Sequence, residues 1–245
     1  MEKVVLITGV SKGLGKSLAL KFKKEGFLVC GVSRSKLDFK IDLHLSEDLT
    51  NKENLENIVN KTIEKFNRID VLINNAGIGL YESWENTKDE DLRYLFELNF
   101  FSVVNLTKLS LPYLKQTKGT VINVSSVAGK LYVPYMGGYC TSKYALNAFS
   151  DSLRAEVKPY NIHVLNLIVG RINTGFSKSA LGTKKPPSTP FGGDINKFSD
   201  VVFKGYKKKK REITFPYWYK FIIYFSKIFP NLYDRIALKK WNGQR

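Results

Sequence analysis

V-V-L-I-T-G-V-S-K-G-L-G, residues 4 to 15, is the stretch that decides the fold of this chain. Its first five residues are apolar or β-branched, as expected for a strand buried on both faces of a parallel sheet. The glycines then lead into a pattern in which Leu14, Leu18 and Phe22 are spaced for one face of a helix. Because a strand, a glycine turn and a helix follow in this order, the stretch predicts the first unit of a doubly wound parallel sheet.

The same turn predicts a binding site for a dinucleotide. Backbone N–H groups at the N-terminus of a helix attract an anion such as a pyrophosphate, and glycines let it approach the backbone closely. A glycine triplet alone is weak evidence, but the strand before it and the helix after it are the context that supports it. The expected cofactor contacts from this turn are Gly9, Ser11, Lys12, Gly13, Leu14 and Gly15.

A further predicted strand, D-V-L-I at residues 70 to 73, ends in the small polar run N-N-A-G. Ligands of open parallel sheets bind beyond the carboxyl ends of the strands. We therefore expect this run to border the cofactor, through Asn74, Asn75, Ala76 and Gly77.

The run Y-C-T-S-K places Tyr139 and Lys143 four residues apart on a predicted helix. Residues at this spacing share a helical face, so the Lys143 ammonium is expected beside the Tyr139 phenol, whose ordinary pKa is about 10. A neighbouring positive charge would bring that pKa toward the range useful for acid–base catalysis. Such a pair also occurs on ordinary helices as a half-buried tyrosine beside a solvated lysine. Its place after two nucleotide-binding elements favours the catalytic interpretation.

Together, T-G-x-x-x-G-x-G at 8 to 15, N-N-A-G at 74 to 77, Asn99, Ser126 and the Tyr139/Lys143 pair resemble the short-chain dehydrogenase/reductase family. The resemblance covers roughly residues 3 to 175. It implies an α/β fold, a single Rossmann-type domain over residues 1–245 with helices on both faces of the sheet. It also implies a nicotinamide cofactor and reversible hydride transfer between that cofactor and a carbonyl or alcohol.

The resemblance also implies a role for each residue of the catalytic set. Tyr139 exchanges a proton with the substrate oxygen, and Lys143 lowers the pKa of Tyr139 and holds the nicotinamide ribose. Ser126 donates a hydrogen bond where negative charge develops, and Asn99 bends a helix and carries a water to the lysine. Ser125 is a rival for Ser126, but the spacing of thirteen positions from Ser126 to Tyr139 favours Ser126.

One departure from the family pattern follows the predicted strand Ile162 to Ile168. Family members have Pro-Gly and then a threonine, whereas this chain has Val169-Gly170 and then Thr174. Replacing proline frees one backbone angle and restores an N–H. By resemblance, Gly170, Ile172 and Thr174 remain expected cofactor contacts.

Charge at the adenosine end predicts a preference for NADP(H) over NAD(H). An NAD enzyme usually has Asp or Glu after the second strand, whereas here Ser33-Arg34 follow it and Lys12 lies in the glycine turn. Two cations favour a 2′-phosphate, which Arg34 would hold bidentately. The alternative is that both are solvated surface charges. Asp42 and Leu43 resemble the family pair beside the adenine, and Asp70 resembles the aspartate that props the glycine turn.

Composition supports one α/β enzyme domain. The chain has 245 residues, 43% of them hydrophobic, which suffices for a sizeable core. Its two cysteines indicate no disulfide framework, and Cys140 is expected to be a packing residue because neither His44 nor His163 is placed to activate it. No metal-ligand spacing is present.

Periodicity predicts the remaining elements. They are a short strand at Phe39 to Ile41, a helix through Leu55 to Phe66, a long helix at 89 to 116, a strand at Gly119 to Val124, a catalytic helix at Tyr139 to Val157 and a strand at Glu212 to Phe215.

Residues 175–211 are predicted to hold a substrate lid and a basic run. Proline and glycine oppose a regular helix from 175 to 198, and the dense cations from Lys204 to Arg211 follow.

The C-terminal extension, residues 212–245, combines aromatic residues with cations. Residues 201 to 245 hold twelve Lys or Arg and two acids, which is +10 of the overall +17. This predicts an interfacial membrane anchor that is too short to span a bilayer; the alternative is a helix packed on its own core or on a second subunit. Its predicted apolar helical face is Trp218, Phe221, Ile222, Phe225 and Phe229.

The leading hypothesis is an NADP(H)-dependent oxidoreductase acting on a hydrophobic carbonyl or alcohol near a membrane. A soluble 3-oxoacyl thioester reductase and a non-catalytic dinucleotide-sensing regulator are the alternatives. No nucleic-acid motif accompanies the positive charge, and the absence of a leader pattern predicts a cytoplasmic, possible peripheral-membrane location. By resemblance, a homodimer or homotetramer is expected.

Overall fold

The computed structural model describes residues 2–187 and 192–242. Within them, seven strands form one parallel sheet: β1 (Val4–Thr8), β2 (Leu28–Val32), β3 (Leu43–Leu45), β4 (Val71–Asn74), β5 (Thr120–Ser126), β6 (His163–Val169) and β7 (Glu212–Phe215). Their order is β3-β2-β1-β4-β5-β6-β7. The strand order reverses between β1 and β4, where the ligand crevice of such sheets lies.

Helices cover both faces of the sheet. They are α1 (Gly13–Lys24), α2 (Lys52–Phe66), α3 (Asp89–Phe96), α4 (Ser102–Thr117), α5 (Gly137–Glu156), α6 (Ile195–Lys207), α7 (Tyr219–Ile228) and α8 (Pro230–Asn242). A π-helical turn, Glu97–Phe101, joins α3 to α4.

The core has two halves, one on each face of the sheet. On one face, α1 and α6 pack together through Phe22, Phe198 and Phe203, all buried. On the other face, α2 and α4 bury Leu55, Ile58 and other aliphatic side chains against the sheet. The strands are apolar on both sides because both sides are covered, as the run at residues 4 to 8 predicted.

Three predicted elements need correction. The strand expected at Phe39 to Ile41 is absent from the described residues there, and β3 lies at Leu43–Leu45 instead. The long helix is continuous in path but contains the π-helical turn. Helix α6 begins at Ile195, inside the predicted lid, because Asp194 caps it by accepting from the N–H groups of Asn196 and Lys197. The predicted lid residues 188–191 lie outside the described part of the chain.

Candidate active site

Tyr139 and Lys143 lie on the first turns of α5 and face the same crevice. The Lys143 ammonium is 5.9 Å from the centre of the Tyr139 ring and donates to the Val124 carbonyl at 3.0 Å. Both side chains are buried. The four-residue spacing thus brings the phenol and the ammonium together, as the sequence predicted.

Ser126 ends β5 and completes this group. Its side chain hydrogen-bonds the Tyr139 hydroxyl and accepts from the Ala128 N–H at 3.1 Å. Ser125 instead points to the Lys143 carbonyl, to which it donates at 3.5 Å. Ser126 is therefore the serine that meets the phenol.

Burial controls the protonation of this pair. It raises the pKa of Tyr139 above its ordinary value, against an opposing hydrogen bond from Ser126. It lowers the pKa of Lys143 to about 8. The expectation that Lys143 brings the Tyr139 pKa toward neutrality needs correction for this structure, because loss of solvation raises that pKa and outweighs the hydrogen bond from Ser126. At neutral pH the phenol is protonated, which is the form that donates a proton.

Asn99 is buried in the π-helical turn. Its side-chain oxygen accepts from the Ile78 N–H at 2.8 Å, and its amide donates to the Ile78 carbonyl at 2.9 Å and to Ser142 at 3.2 Å. Gly77 lies directly beside Asn99 and the Lys143 ammonium. The widened turn thereby fixes the loop after β4 against the catalytic helix.

The glycine turn after β1 provides a cradle for a pyrophosphate. A Cβ at Gly15 would lie 2.1 Å from the Gly9 carbonyl oxygen, so only glycine allows the helix to start this close to the strand. The Thr174 side chain lies over Gly13 from the opposite side. This narrow glycine cradle, open at the N-terminus of α1, fits a dinucleotide.

Asn75, rather than Asp70, holds the turn. The Asn75 side-chain amide donates to the carbonyls of Thr8 and Gly9 at 2.8 and 3.1 Å, and the Ala76 N–H donates to the Thr8 hydroxyl. Asp70 accepts from the Val4 N–H at 2.8 Å, at the opposite end of the sheet, so its expected role as a prop for the turn is wrong.

Asn74 also differs from expectation. It points into the sheet and donates to Thr107 at 3.1 Å and to Asn123 at 2.8 Å. Of the N-N-A-G run, therefore, Asn75 to Gly77 border the crevice.

At the adenosine end, Arg34 is exposed and donates to the Tyr94 hydroxyl at 3.1 Å. Its guanidinium lies 3.7 Å from the Asp48 carboxylate. Ser33 is buried and is hydrogen-bonded to His44 and to the Ser35 carbonyl. Lys12 is exposed where α1 begins. Arg34 and Lys12 are thus both available to an anion at this end.

The assignment of Asp42 and Leu43 to the adenine is wrong. Asp42 accepts from the Val29 N–H at 2.9 Å and pairs with Lys23 at 3.1 Å, below the carboxyl end of β2. Leu43 begins β3 and packs against the core. The early placement of the strand at 39 to 41 caused this error, because β3 begins only at Leu43.

An apolar cluster surrounds Tyr139. The Phe176 ring centre lies 5.9 Å from that of Tyr139. The chain after Phe176 forms an isolated backbone bridge with the loop after β4, in which Leu181 pairs with Leu80. The described side chains of this cluster are Ile78, Leu80, Leu92, Leu95, Ala128, Val133, Met136, Tyr139, Cys140, Phe176 and Leu181.

Buried Glu82 fastens the described part of the lid. Its carboxylate accepts from the Thr183 N–H at 3.0 Å and from the Thr183 hydroxyl. The Thr183 hydroxyl also lowers the pKa of Glu82. Sequence reasoning did not single out Glu82 or Phe176, because no local pattern shows that Glu82 meets Thr183 or that Phe176 meets Tyr139.

Gly170, Ile172 and Thr174 follow β6 at the crevice. Gly170 lies flat against the ring of Tyr219, the first residue of α7. Val169 continues β6 and pairs with both Ser126 and Phe215. Tyr219 was not predicted as part of the site, because it belongs to the C-terminal extension.

The extension folds back as a hairpin of α7 and α8. Ile223, Ser226 and Tyr233 are buried against the protein. Of the predicted apolar face, Ile222 and Phe225 are partly buried, but Phe221 is 68% exposed. The cations from Lys207 to Arg211 come just before β7, and the hairpin comes just after β7. Because β7 runs across the sheet, these two regions lie at opposite ends of the strands. Within residues 2–187 and 192–242, no helix combines the length and apolarity needed to cross a membrane.

Comparison with known proteins identifies the family to which this fold belongs. The family model described as short chain dehydrogenase matches residues 3–185. A 3-ketodihydrosphingosine reductase from Bacteroides thetaiotaomicron is 38% identical over 178 residues, which are 71% of this chain and 66% of that protein. The aligned part thus spans just under two thirds of that relative.

Two further matches cover more of the chain. A dehydrogenase/reductase SDR family protein 7-like from Anopheles gambiae is 34% identical over 235 residues, 86% of this chain and 74% of that protein. The crystal structure of a short-chain dehydrogenase from Streptomyces avermitilis superposes with a TM-score of 0.82 at 26% identity, covering 99% of this chain and 97% of the other. The chain therefore belongs to the short-chain dehydrogenase/reductase family, whose members are NAD(P)-binding oxidoreductases acting on CH–OH groups of small molecules.

Proposed function

We propose that this protein is an NADP(H)-dependent reductase that converts a hydrophobic, lipid-like ketone or aldehyde into an alcohol. The observation that carries the proposal is the apolar cluster around Tyr139, closed by Phe176 and Leu181. A substrate whose carbonyl reaches the phenol must place its neighbouring atoms among these side chains. Burial of apolar substrate surface stabilises the complex in proportion to its area.

The proton chemistry follows from the protonation states of the site. The hydride for the carbonyl carbon would come from a nicotinamide cofactor, which the glycine turn from Gly9 to Gly15 and the loop from Asn75 to Gly77 would hold. Tyr139 donates its proton to the carbonyl oxygen, and Ser126 donates a hydrogen bond to the same oxygen as negative charge develops there. Lys143, charged at neutral pH because its pKa is about 8, favours the phenolate left on Tyr139.

The preference for NADP(H) is supported by Arg34 and Lys12. A 2′-phosphate adds negative charge and oxygen acceptors that a guanidinium binds in a bidentate manner. The Tyr94 hydroxyl and the Asp48 carboxylate, the present partners of Arg34, hold its side chain at this end of the crevice.

The substrate class is supported by the relative named 3-ketodihydrosphingosine reductase. A long-chain 3-ketone and a 3-oxoacyl thioester both offer a carbonyl next to an apolar chain. They differ at the other end, where the thioester carries a large polar carrier. Because both substrates place an apolar chain beside the carbonyl, the similarity to that relative is what favours the long-chain ketone over the thioester.

Membrane association is supported by the outer face of the hairpin. Its large apolar side chains are exposed next to Lys220, Lys227, Lys239 and Lys240, a combination that suits an anionic lipid surface. The exposed apolar residues are Tyr217, Trp218, Phe221, Tyr224, Ile228, Phe229, Leu232, Ile236 and Leu238. We place the protein in the cytoplasm, peripherally bound to a membrane.

The experiment is a comparison of NADPH oxidation with long-chain 3-ketones, aliphatic aldehydes and short 3-oxoacyl thioesters, in the presence of mixed micelles. The proposal expects the highest kcat/KM with a long-chain ketone and with NADPH rather than NADH. Highest activity on the thioester would support the alternative enzyme. Tight NADPH binding with no turnover on any carbonyl would support the regulator.

A further inference from the structure

Tyr219 makes a contact with the loop after β6 that only glycine permits. A Cβ at Gly170 would lie 2.1 Å from the Cε2 atom of the Tyr219 ring. Trp218 stacks on the same ring, with 3.9 Å between centroids and 22° between planes. The ring is therefore in contact both with an indole and with the backbone at Gly170.

The Tyr219 hydroxyl also takes a backbone hydrogen bond from this loop. It accepts from the Arg171 N–H at 3.3 Å, and burial raises the pKa of Tyr219, so the hydroxyl remains neutral. Arg171 is fixed on its other sides as well: its carbonyl accepts from the Gly193 N–H at 2.8 Å, and its guanidinium donates to the Pro187 carbonyl at 2.6 Å. Arg171 thus joins the hairpin, the loop and the described ends of the lid.

The local sequence explains why such a support matters. The loop begins with Val169-Gly170, which carries no proline ring to restrict the backbone. Glycine at 170 loses more conformational freedom on ordering than any other residue. Ile172 and Thr174, the proposed cofactor contacts, follow within four residues. An external contact must therefore supply the order that a proline would have supplied.

We infer that Tyr219 is a positioning residue for cofactor binding, which sets the loop of Ile172 and Thr174 through Gly170 and Arg171. The inference rests on the proposed function in taking this loop as part of the NADPH site. It assigns to the C-terminal hairpin a role in the active site, besides its proposed membrane contact.

The first test is Tyr219→Phe, which keeps the ring and removes the hydroxyl. NADPH affinity is measured by fluorescence titration without substrate, and kcat at saturating NADPH. Loss of one net hydrogen bond predicts a Kd for NADPH raised about three- to tenfold. We expect kcat to change less than about twofold and the melting temperature without cofactor to be nearly unchanged. Tyr217→Phe is the control, because its ring is exposed in the same turn.

The second test separates positioning from general packing. Gly170→Ala forces a Cβ into the Tyr219 ring and should weaken NADPH binding strongly. Tyr219→Ala removes the obstacle, so adding Gly170→Ala to it should cost little more. This non-additivity is expected only if the two residues act through one contact.

Three outcomes overturn the inference. The first is an unchanged NADPH Kd in Tyr219→Phe with wild-type binding intact, whether or not the melting temperature falls. The second is additive effects of Gly170→Ala and Tyr219→Ala. The third is a wild-type protein that binds no nicotinamide cofactor, which overturns the proposed function as well.

Discussion

Tyr139 shows how one residue combines opposite demands. Burial keeps its phenol protonated, the Ser126 hydroxyl opposes that effect, and the Lys143 ammonium lies 5.9 Å from its ring centre, where the proposed function needs it when the proton leaves. We expect Tyr139→Phe to lower kcat for carbonyl reduction by about 10² to 10⁴-fold, the usual range for a general acid. NADPH affinity should be little changed. Tyr144→Phe, partly exposed on the same helix, is the control; equal loss in both variants would exclude proton transfer by Tyr139.

Burial of the charged Lys143 should lower the free energy of unfolding. Its pKa is depressed from 10.5 to about 8, so the folded protein bears the cost of a buried charge in full below pH 8. That cost declines as pH rises from 8 to 10.5, where the unfolded chain also loses its proton. Lys143→Met should therefore stabilise the cofactor-free protein, by on the order of 1–3 kcal/mol at pH 7, while abolishing reduction.

The measurement is urea unfolding at several pH values. The stability gain of Lys143→Met should shrink as pH rises toward 10. A variant less stable than the wild type at pH 7 would show that the hydrogen bond to the Val124 carbonyl outweighs the buried charge.

Arg34 should decide cofactor choice. Because a charge-assisted hydrogen bond contributes about 1.5–3 kcal/mol, Arg34→Ala should raise KM for NADPH about ten- to a hundredfold and leave KM for NADH nearly unchanged. Steady-state kinetics with both cofactors measure this, with exposed Arg235→Ala on α8 as the control. An equal rise for both cofactors would show that Arg34 does not contact a 2′-phosphate.

At the scale of elements, the sequence predicted what depends on local pattern. The apolar run at residues 4 to 8, the glycine turn and the spacing of Tyr139 and Lys143 determine β1, the start of α1 and one face of α5. It failed where long-range pairing decides. The strand β3 was misplaced because Phe39 and Ile41 alternate like strand residues, yet from residue 39 to residue 45 only Leu43–Leu45 pair with β2.

The same limit applies to the lid, whose anchor could not be predicted from local sequence. Glu82 and Thr183 are far apart in the sequence and are brought into hydrogen-bond contact only by folding. We expect Glu82→Gln to weaken this anchor and to raise KM for the carbonyl substrate about three- to tenfold, since roughly 1 kcal/mol of hydrogen bonding is lost. The Kd for NADPH should be nearly unchanged. Exposed Glu85→Gln is the control, and an unchanged substrate KM would show that the anchor does not affect the pocket.

At the scale of the whole molecule, the two positive regions of the C-terminal third face different ends. The basic run before β7 lies at the amino end of the strands, where Lys210 meets His163 at the start of β6. The hairpin lies at the carboxyl end, where Tyr233 donates to the Tyr132 carbonyl beside the loop that leads to α5. The sequence analysis counted all of these cations toward one membrane anchor, because they are close together along the chain. It could not show that β7 runs between the two groups and carries the chain to the other end of the sheet.

This separation gives a sharp test of membrane binding. If the hairpin is the lipid-facing surface, replacing exposed Phe221 and Tyr224 by serine should abolish retention on anionic vesicles. Two aromatic side chains that become buried in the lipid contribute several kcal/mol in total to binding. Replacing Lys207 to Lys210 by glutamine removes four cations at the other end of the sheet and should change retention much less.

Vesicle co-sedimentation at about 0.1 M salt measures the retention of both variants, because attraction to headgroups is then partly screened. Activity on a water-soluble carbonyl is the folding control for each variant. Loss of retention only in the lysine variant would place the membrane contact at the basic run and leave the hairpin its contact with the cofactor loop.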